Sequence, residues 1–350
     1  MNILVTGANG HLGNNLCRAL VARGHRVRAS VRDRADPLRI AHLADLPNLE
    51  LVDLEVRNAE QFDAVTRGMD VICHTATTYA FYTGDPKKDE SIVLDSVEGI
   101  ENAMRSAAKS SVRKVVLTSS IGALPLRAPG EAPATEADWN TDMRVPYFRA
   151  KTLGEQTAWT LARQLGVTLV TLLPGAIGGG GFARRTATTD FFESMMLGGM
   201  KMGAPAWSYP YVDVADVVSG HVLAAEGDAS GRFILCPDKA PDLFDLSWVC
   251  HRLDPGIPPA PWRIPDFLTQ FLPAADALSA RLTGSPRSLT PALVGHMLGK
   301  QYSLSNQRAK AELGWQPRVP IEHSVADLLA RLRELRGVEA ASSTQVFATS

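Results

Sequence analysis

Short apolar runs alternate with helix-spaced stretches through the first half of the chain. The runs at 2–6 (NILVT), 26–31 (RVRASV), 49–52 (LELV), 70–75 (DVICHT), 114–120 (KVVLTSS) and 167–173 (VTLVTLL) predict strands. Several are apolar almost throughout, as in a parallel sheet covered on both faces. Between them, stretches such as NNLCRALVARG (14–24) and SVEGIENAMRSAAKS (96–110) space their apolar residues along one face of a helix. That β-α repetition predicts a doubly wound, parallel α/β sheet.

The pattern changes after residue 173. Residues 174–208 are rich in Gly, Met and Phe, and 252–265 (RLDPGIPPAPWRIP) hold five prolines. Helical spacing returns at 266–282 and 321–336. We read residues 1–173 plus about 209–226 as the sheet domain. Residues from about 174–208 plus 227–336 form a smaller, discontinuous lobe over its C-terminal edge. The last stretch, 337–350, has little apolar periodicity and is expected to be a mobile tail.

Composition narrows the class. The chain has 350 residues, 45% hydrophobic and 21% charged, with a formal net charge of -1. That is an ordinary globular composition, without the basic excess of a nucleic-acid partner. Cys17, Cys73, Cys236 and Cys250 lie far apart, so neither a metal site nor a disulfide framework is indicated. MNILVTGANG enters a strand pattern at once, unlike a secretory signal, and no run of about 18 apolar residues exists. A cytoplasmic location with no integral membrane segment is the expectation.

LVTGANGHLGNNLCRAL sets Gly7, Gly10 and Gly13 between the first strand and the first helix. Glycines there permit a tight turn, close backbone approach to a pyrophosphate and close helix–strand packing. The helix N-terminus adds unpaired N–H groups and a partial positive charge. The loop therefore predicts dinucleotide binding by Gly7, Asn9, Gly10, His11, Leu12 and Gly13. His11 is expected to be solvated or to cap the backbone rather than to catalyse. An acid at the end of strand two would hold a ribose 2′-hydroxyl. Here Val31 is followed by Arg32, whose guanidinium suits a 2′-phosphate, so NADP(H) is expected over NAD(H). Asp53, next to Leu54 in LVDLEV, is expected to accept from the adenine amino group.

The ordered set TGANGHLG, VDL, HTAT, TSS and YFRAK resembles the extended short-chain dehydrogenase/reductase superfamily. TEADWNTD…PYFRAKTLGEQTAW, SVRD and YPYVDVADVVSGHVLAAE are similar to its dihydroflavonol-reductase-like branch of NADPH carbonyl reductases. The resemblance covers roughly residues 1 to 335. It implies a Rossmann-type sheet with a substrate lobe, and a catalytic set at Ser120, Tyr147 and Lys151. Tyr147 would protonate a carbonyl oxygen as hydride arrives from the nicotinamide. Lys151 would hydrogen-bond the ribose and draw the phenol's pKa down from about 10. Ser120, in preference to Ser119, would hold the substrate oxygen. The four-residue spacing of Tyr147 and Lys151 is neutral by itself, since such pairs share a helix face whether or not they work. Thr75, Ala76 and Thr77 after strand four, and Pro174 and Gly175 after strand six, are expected beside the nicotinamide, with His74 structural. Where the family often has Asn before V-x-G, this chain has Ser96, leaving that relay position to Ser96 or water.

IGALPLR has Leu124 where sugar epimerases of the superfamily carry an aromatic, and TSSIGA lacks the acid of sugar dehydratases. A 3β-hydroxysteroid-dehydrogenase-like activity uses the same triad and stays open. A non-catalytic NADP(H)-sensing regulator is disfavoured because both Tyr and Lys are present. FLTQFLPAADALSARL (267–282) reads as a core helix of the lobe, or as an interfacial helix in the steroid case. Phe182, Phe191, Phe192, Met195, Met196, Met200, Met202 and Trp207 are candidates for an apolar substrate wall and equally for lobe core. Arg184 and Arg185 read as exposed charge. The expected function is an NADPH-dependent carbonyl reductase or alcohol dehydrogenase of a hydrophobic ketone or aldehyde, acting as monomer or homodimer.

Overall fold

The computed structural model describes residues 1–77, 85–283, 287 and 289–348. Strands β1 (Asn2–Thr6), β2 (Arg26–Val31), β3 (Leu49–Asp53), β4 (Val71–His74), β5 (Lys114–Thr118) and β6 (Thr168–Pro174) fall where the apolar runs predict them. They belong to a seven-stranded sheet in the order Gly231–Leu235, β6, β5, β4, β1, β2, β3. Every pairing in it is parallel. The chain winds outward from β1 to β3, returns to lay β4 beside β1, and winds out the other way. That reversal sets the carboxyl ends of β1 and β4 at the switch point, where doubly wound sheets bind ligands.

Alternation along each strand divides the core into two layers. Ile3, Val5, Val71, Cys73, Val116 and Val170 join one cluster with residues of α1 (His11–Ala22) and the helix Val214–Glu226. Leu4, Ile72, Val115, Leu117 and Leu169 join the other, with α3 (Ala59–Thr66), α4 (Pro86–Lys109) and α5 (Pro146–Leu165). The short α2 (Pro37–Ala44) bridges β2 and β3. Burying each such side chain contributes roughly 1.5–3 kcal/mol, so the sheet is the rigid platform of the molecule.

The expected lobe, 227–336, gives up two segments to this platform. Gly231–Leu235 pairs with β6 as an edge strand, and Trp315 packs in the cluster of α1 with its indole N–H on the Asp216 carbonyl at 2.7 Å. In the lobe's first segment, 174–208, lobe core takes most of the proposed substrate wall. Phe182, Phe192 and Met195 are buried with Leu246, Leu328 and Leu332, Trp207 is buried with Leu126 and Val294, and Met202 is 77% exposed.

The stretch 267–282 is not one core helix. It divides into Asp266–Thr269 and Leu272–Thr283, with Pro273 in the first turn of the second, and leaves Phe267, Phe271 and Leu282 exposed. The last helix, Ile321–Ala348, runs on through the segment expected as a tail, while 349–350 lie outside the described residues. Among the described residues, no helix is long and apolar enough to cross a membrane.

Candidate active site

Pro146 in the first turn and the left-handed Gly166 (φ 68°) at the end bound α5, each suited to its position. The helix presents Tyr147 and Lys151 one turn apart, with Lys151 Nζ 5.9 Å from the phenol ring centroid. α4 and α5 approach closely at Gly154, where a Cβ would lie 2.8 Å from both Ile100 Cδ1 and Ser96 Oγ. Ser96 donates to the Ala150 carbonyl at 3.3 Å, just before Lys151. Lys151 is itself buried, and its Nζ donates to the carbonyl of Thr118, the last residue of β5, at 3.3 Å. Burial pulls its ammonium down to about 8, with the charge of Glu155 opposing that shift. Below that pH it is a cation held at the carboxyl edge of the sheet.

The two serines after β5 diverge. Ser119 Oγ donates to Glu155 at 2.7 Å in the buried interior. Ser120 caps the short turn Ile121–Ala123, its Oγ accepting the Gly122 N–H at 3.1 Å, which leaves its own proton to give. Tyr147 packs with Val145, Phe148 and Leu293. At the end of β4, His74 Nδ1 hydrogen-bonds with Thr6 Oγ1 at 3.0 Å, and burial with the Lys151 charge pulls it to about 4, so it stays neutral. A cavity of about 10 Å³, the order of one water, opens among His74, Thr77, Ser96, Ser119, Lys151 and Glu155.

The glycine loop lies beside this cavity. Gly7 has φ 67°, a conformation side chains resist, and a Cβ there would sit 2.8 Å from Ala76 Cα. A Cβ on Gly13 would sit 2.3 Å from the Gly7 carbonyl oxygen. Gly10 donates to that same oxygen at 3.0 Å and begins α1. Asn9 stands in the turn, and Leu12 anchors the helix in the core. Thr6, which the motif did not single out, pins the two loops together. Its Oγ1 accepts the N–H groups of Thr75 and Ala76, each at 3.2 Å, and its carbonyl accepts Thr75 Oγ1 at 2.6 Å. A bare-backbone cradle at a helix N-terminus, which any Cβ would fill, fits the pyrophosphate of a dinucleotide.

His11 takes the second of its two expected roles and caps a backbone carbonyl. It is 7% exposed rather than solvated: Nε2 donates to the Gly180 carbonyl at 2.9 Å and the ring meets Phe182 edge-on at 5.4 Å. Arg32 is exposed past the end of β2. Asp53, at the end of β3, accepts Arg34 N–H at 2.8 Å and pairs with Arg34 Nε at 3.1 Å, a partner the sequence reading did not name. Leu54 directs its side chain into the core beside Leu4 and Phe62 and its N–H to the Val31 carbonyl. Pro174 closes β6, and Gly175 runs so near the Pro210 carbonyl that a Cβ would come within 2.1 Å of it. Arg185 pairs with Glu193. All four cysteines are buried and free, and no group of three or more metal-ligating side chains occurs among the described residues.

Residues 3–235 match the NAD dependent epimerase/dehydratase family. The chain is 32% identical over 247 residues to cinnamoyl-CoA reductase CAD2 of Medicago truncatula, covering 67% of this chain and 75% of that one. It is 30% identical to tetraketide alpha-pyrone reductase 2 of Arabidopsis thaliana, covering 73% and 83%. The fold is shared with yeast methylglyoxal/isovaleraldehyde reductase Gre2, solved with NADPH, at a TM-score of 0.76 and 19% identity over 96% of this chain and 99% of that one. The chain belongs to the NAD dependent epimerase/dehydratase family, in its extended short-chain dehydrogenase/reductase branch.

Proposed function

We propose that this oxidoreductase is an NADPH-dependent carbonyl reductase, reversible as an alcohol dehydrogenase, acting on a hydrophobic ketone or aldehyde. The observation that carries the reading is the pairing of Tyr147 with a buried Lys151 at the sheet's switch point, beside the glycine cradle. When bound, the nicotinamide supplies hydride to the carbonyl carbon or takes it from the alcohol. Tyr147 donates the proton to the substrate oxygen, and Ser120 hydrogen-bonds that oxygen. Lys151 places a positive charge one turn away, which favours the phenolate left behind. Gly7, Gly10, Gly13 and the N-terminus of α1 hold the pyrophosphate, Asp53 the adenine, and Arg32 the 2′-phosphate. Thr75, Ala76, Thr77, Pro174 and Gly175 border the nicotinamide. Reductases named for cinnamoyl-CoA and tetraketide alpha-pyrone favour a hydrophobic carbonyl compound over a nucleotide sugar.

The test is an NADPH-oxidation screen across ketones, aldehydes, sterols and nucleotide sugars. Tyr147→Phe should lower kcat on the best substrate by at least about 10²-fold, with NADPH binding retained. Activity within a few-fold of wild type, or a strong preference for a nucleotide sugar, overturns the assignment. A steroid-type substrate is the second reading, favoured by the exposed apolar Phe267, Phe271 and Leu282, and the sterol arm of the screen decides it.

A further inference from the structure

Behind the Tyr147–Lys151 pair lies a second set of charges. Glu155, one turn beyond Lys151 on α5, is 1% exposed. Its Oε1 accepts Thr171 Oγ1 at 2.6 Å and Arg232 Nε at 2.8 Å. Its Oε2 accepts Ser119 Oγ at 2.7 Å and Arg232 Nη2 at 3.3 Å. Arg232, on the edge strand Gly231–Leu235, is 6% exposed. Its Nη1 donates to the Glu136 and Asp138 carbonyls at 2.6 and 2.7 Å, and its guanidinium lies 3.7 Å over the Trp139 ring. The clamped segment continues into Asn140, whose N–H reaches the Ala123 carbonyl at 2.9 Å and whose side chain reaches Thr152 at 3.4 Å.

This network touches every element that carries the proposed catalytic set. Ser119 adjoins Ser120, Ala123 lies in the turn that Ser120 caps, and Thr152 adjoins Lys151. Glu155 and Lys151 also line one cavity. Replacing a buried ion pair by a well-packed apolar set is often neutral or stabilising, so stability alone is a weak account of this pair. We propose that Glu155, locked by Arg232, is a positioning residue that fixes the Ser119–Ser120 strand end against α5 and holds Lys151 as an ammonium across their shared cavity. This rests on the reading of Tyr147 and Lys151 as a working pair.

The surroundings of Lys151 support that assignment. Tyr147 and Glu155 face it from its own helix and His74 from β4, with Arg232 behind Glu155 and His221 behind Thr118. Asp95 and Glu98 of α4 instead pair with Arg57. Burial pulls both histidines down to about 4, so both are neutral. Among the described residues, Glu155 is the charge that opposes the burial stripping Lys151 of its proton.

The experiment follows Lys151 by NMR in the full chain labelled with ¹³Cε-lysine, its resonance identified by loss in Lys151→Arg. In Glu155→Gln, the Lys151 titration should move down by about one pH unit or more, a tenfold change in proton affinity. The pH above which kcat declines should move with it, kcat should fall by about tenfold, and KM for NADPH should stay within about threefold. Glu155→Asp, which restores the charge, should titrate near wild type. Because Gln leaves Arg232 unpaired, Glu155→Gln/Arg232→Met removes both charges together. That double variant should fold and still titrate low. A wild-type titration or wild-type kcat in either folded variant overturns the proposal, as does failure of the double variant to fold, which would make the pair a stability element. If Tyr147→Phe retains activity, the reductase reading fails, while the Lys151 titration still reports whether Glu155 governs it.

Discussion

Arg32 and Arg34 differ in what already holds them. Arg34 is drawn to Asp53 through its backbone N–H and its guanidinium, whereas Arg32 stands exposed where β2 ends. A charge-assisted hydrogen bond contributes about 1.5–3 kcal/mol, a factor of about 10 to 100 in affinity. Arg32→Ala should therefore lower the NADPH-over-NADH ratio of kcat/KM by at least about tenfold. Arg34→Ala should change that ratio less, since its first partner is a carboxylate. Steady-state kinetics with both cofactors check this, and an Arg32→Ala enzyme with undiminished preference removes Arg32 from the phosphate site. The glycine turn and the shared helix face of Tyr147 and Lys151 were legible because both are set by residues close by in the chain, although the spacing alone gave that pair no role. Thr6, Glu155 and Arg232 were not. Glu155 meets Arg232 across 77 residues, and no local pattern marks either as one half of a pair.

At the scale of elements, the turn from β1 into α1 is closed by backbone contact. A methyl group at Gly13 has no space, because the atom it would strike is the fixed Gly7 carbonyl rather than a movable side chain. Gly13→Ala should cost about 1–3 kcal/mol of stability and weaken NADPH binding by at least about tenfold. Urea unfolding and fluorescence titration measure the two effects, and a variant unchanged in both would show that the turn gives way. The six strands of the first half were legible because strands buried on both faces read as near-continuous apolar runs. The edge strand Gly231–Leu235 was not, since a five-residue run beyond the lobe's first segment carries no sign of its partner. The Phe- and Met-rich segment was open between wall and core for a related reason: both draw on the same side chains, and burial alone separates them.

For the whole molecule, two histidines buried among sheet and helices link folding to acidity. His221 Nδ1 donates to the Val217 carbonyl at 2.9 Å, so its neutral Nε2 accepts Thr118 Oγ1 at 2.8 Å. Burial pulls His221 and His74 from 6.5 to about 4. As pH falls below 6.5 the unfolded chain takes up these protons first, so stability present above that pH is lost progressively down to about 4. Each histidine should remove about 2 kcal/mol between pH 7 and pH 5. The urea midpoint should fall accordingly, and His221→Gln should flatten the fall. An equally steep fall in that variant would assign the acid sensitivity to other groups.

The late position of the edge strand also governs how the protein is made. While the ribosome is translating the lobe's first segment, β6 has no neighbour on its outer side, and its open edge is available to other nascent chains. Only after Leu235 has emerged can Arg232 reach Glu155. The helix bearing Tyr147 and Lys151 is therefore synthesised well before the strand whose Arg232 clamps its Glu155.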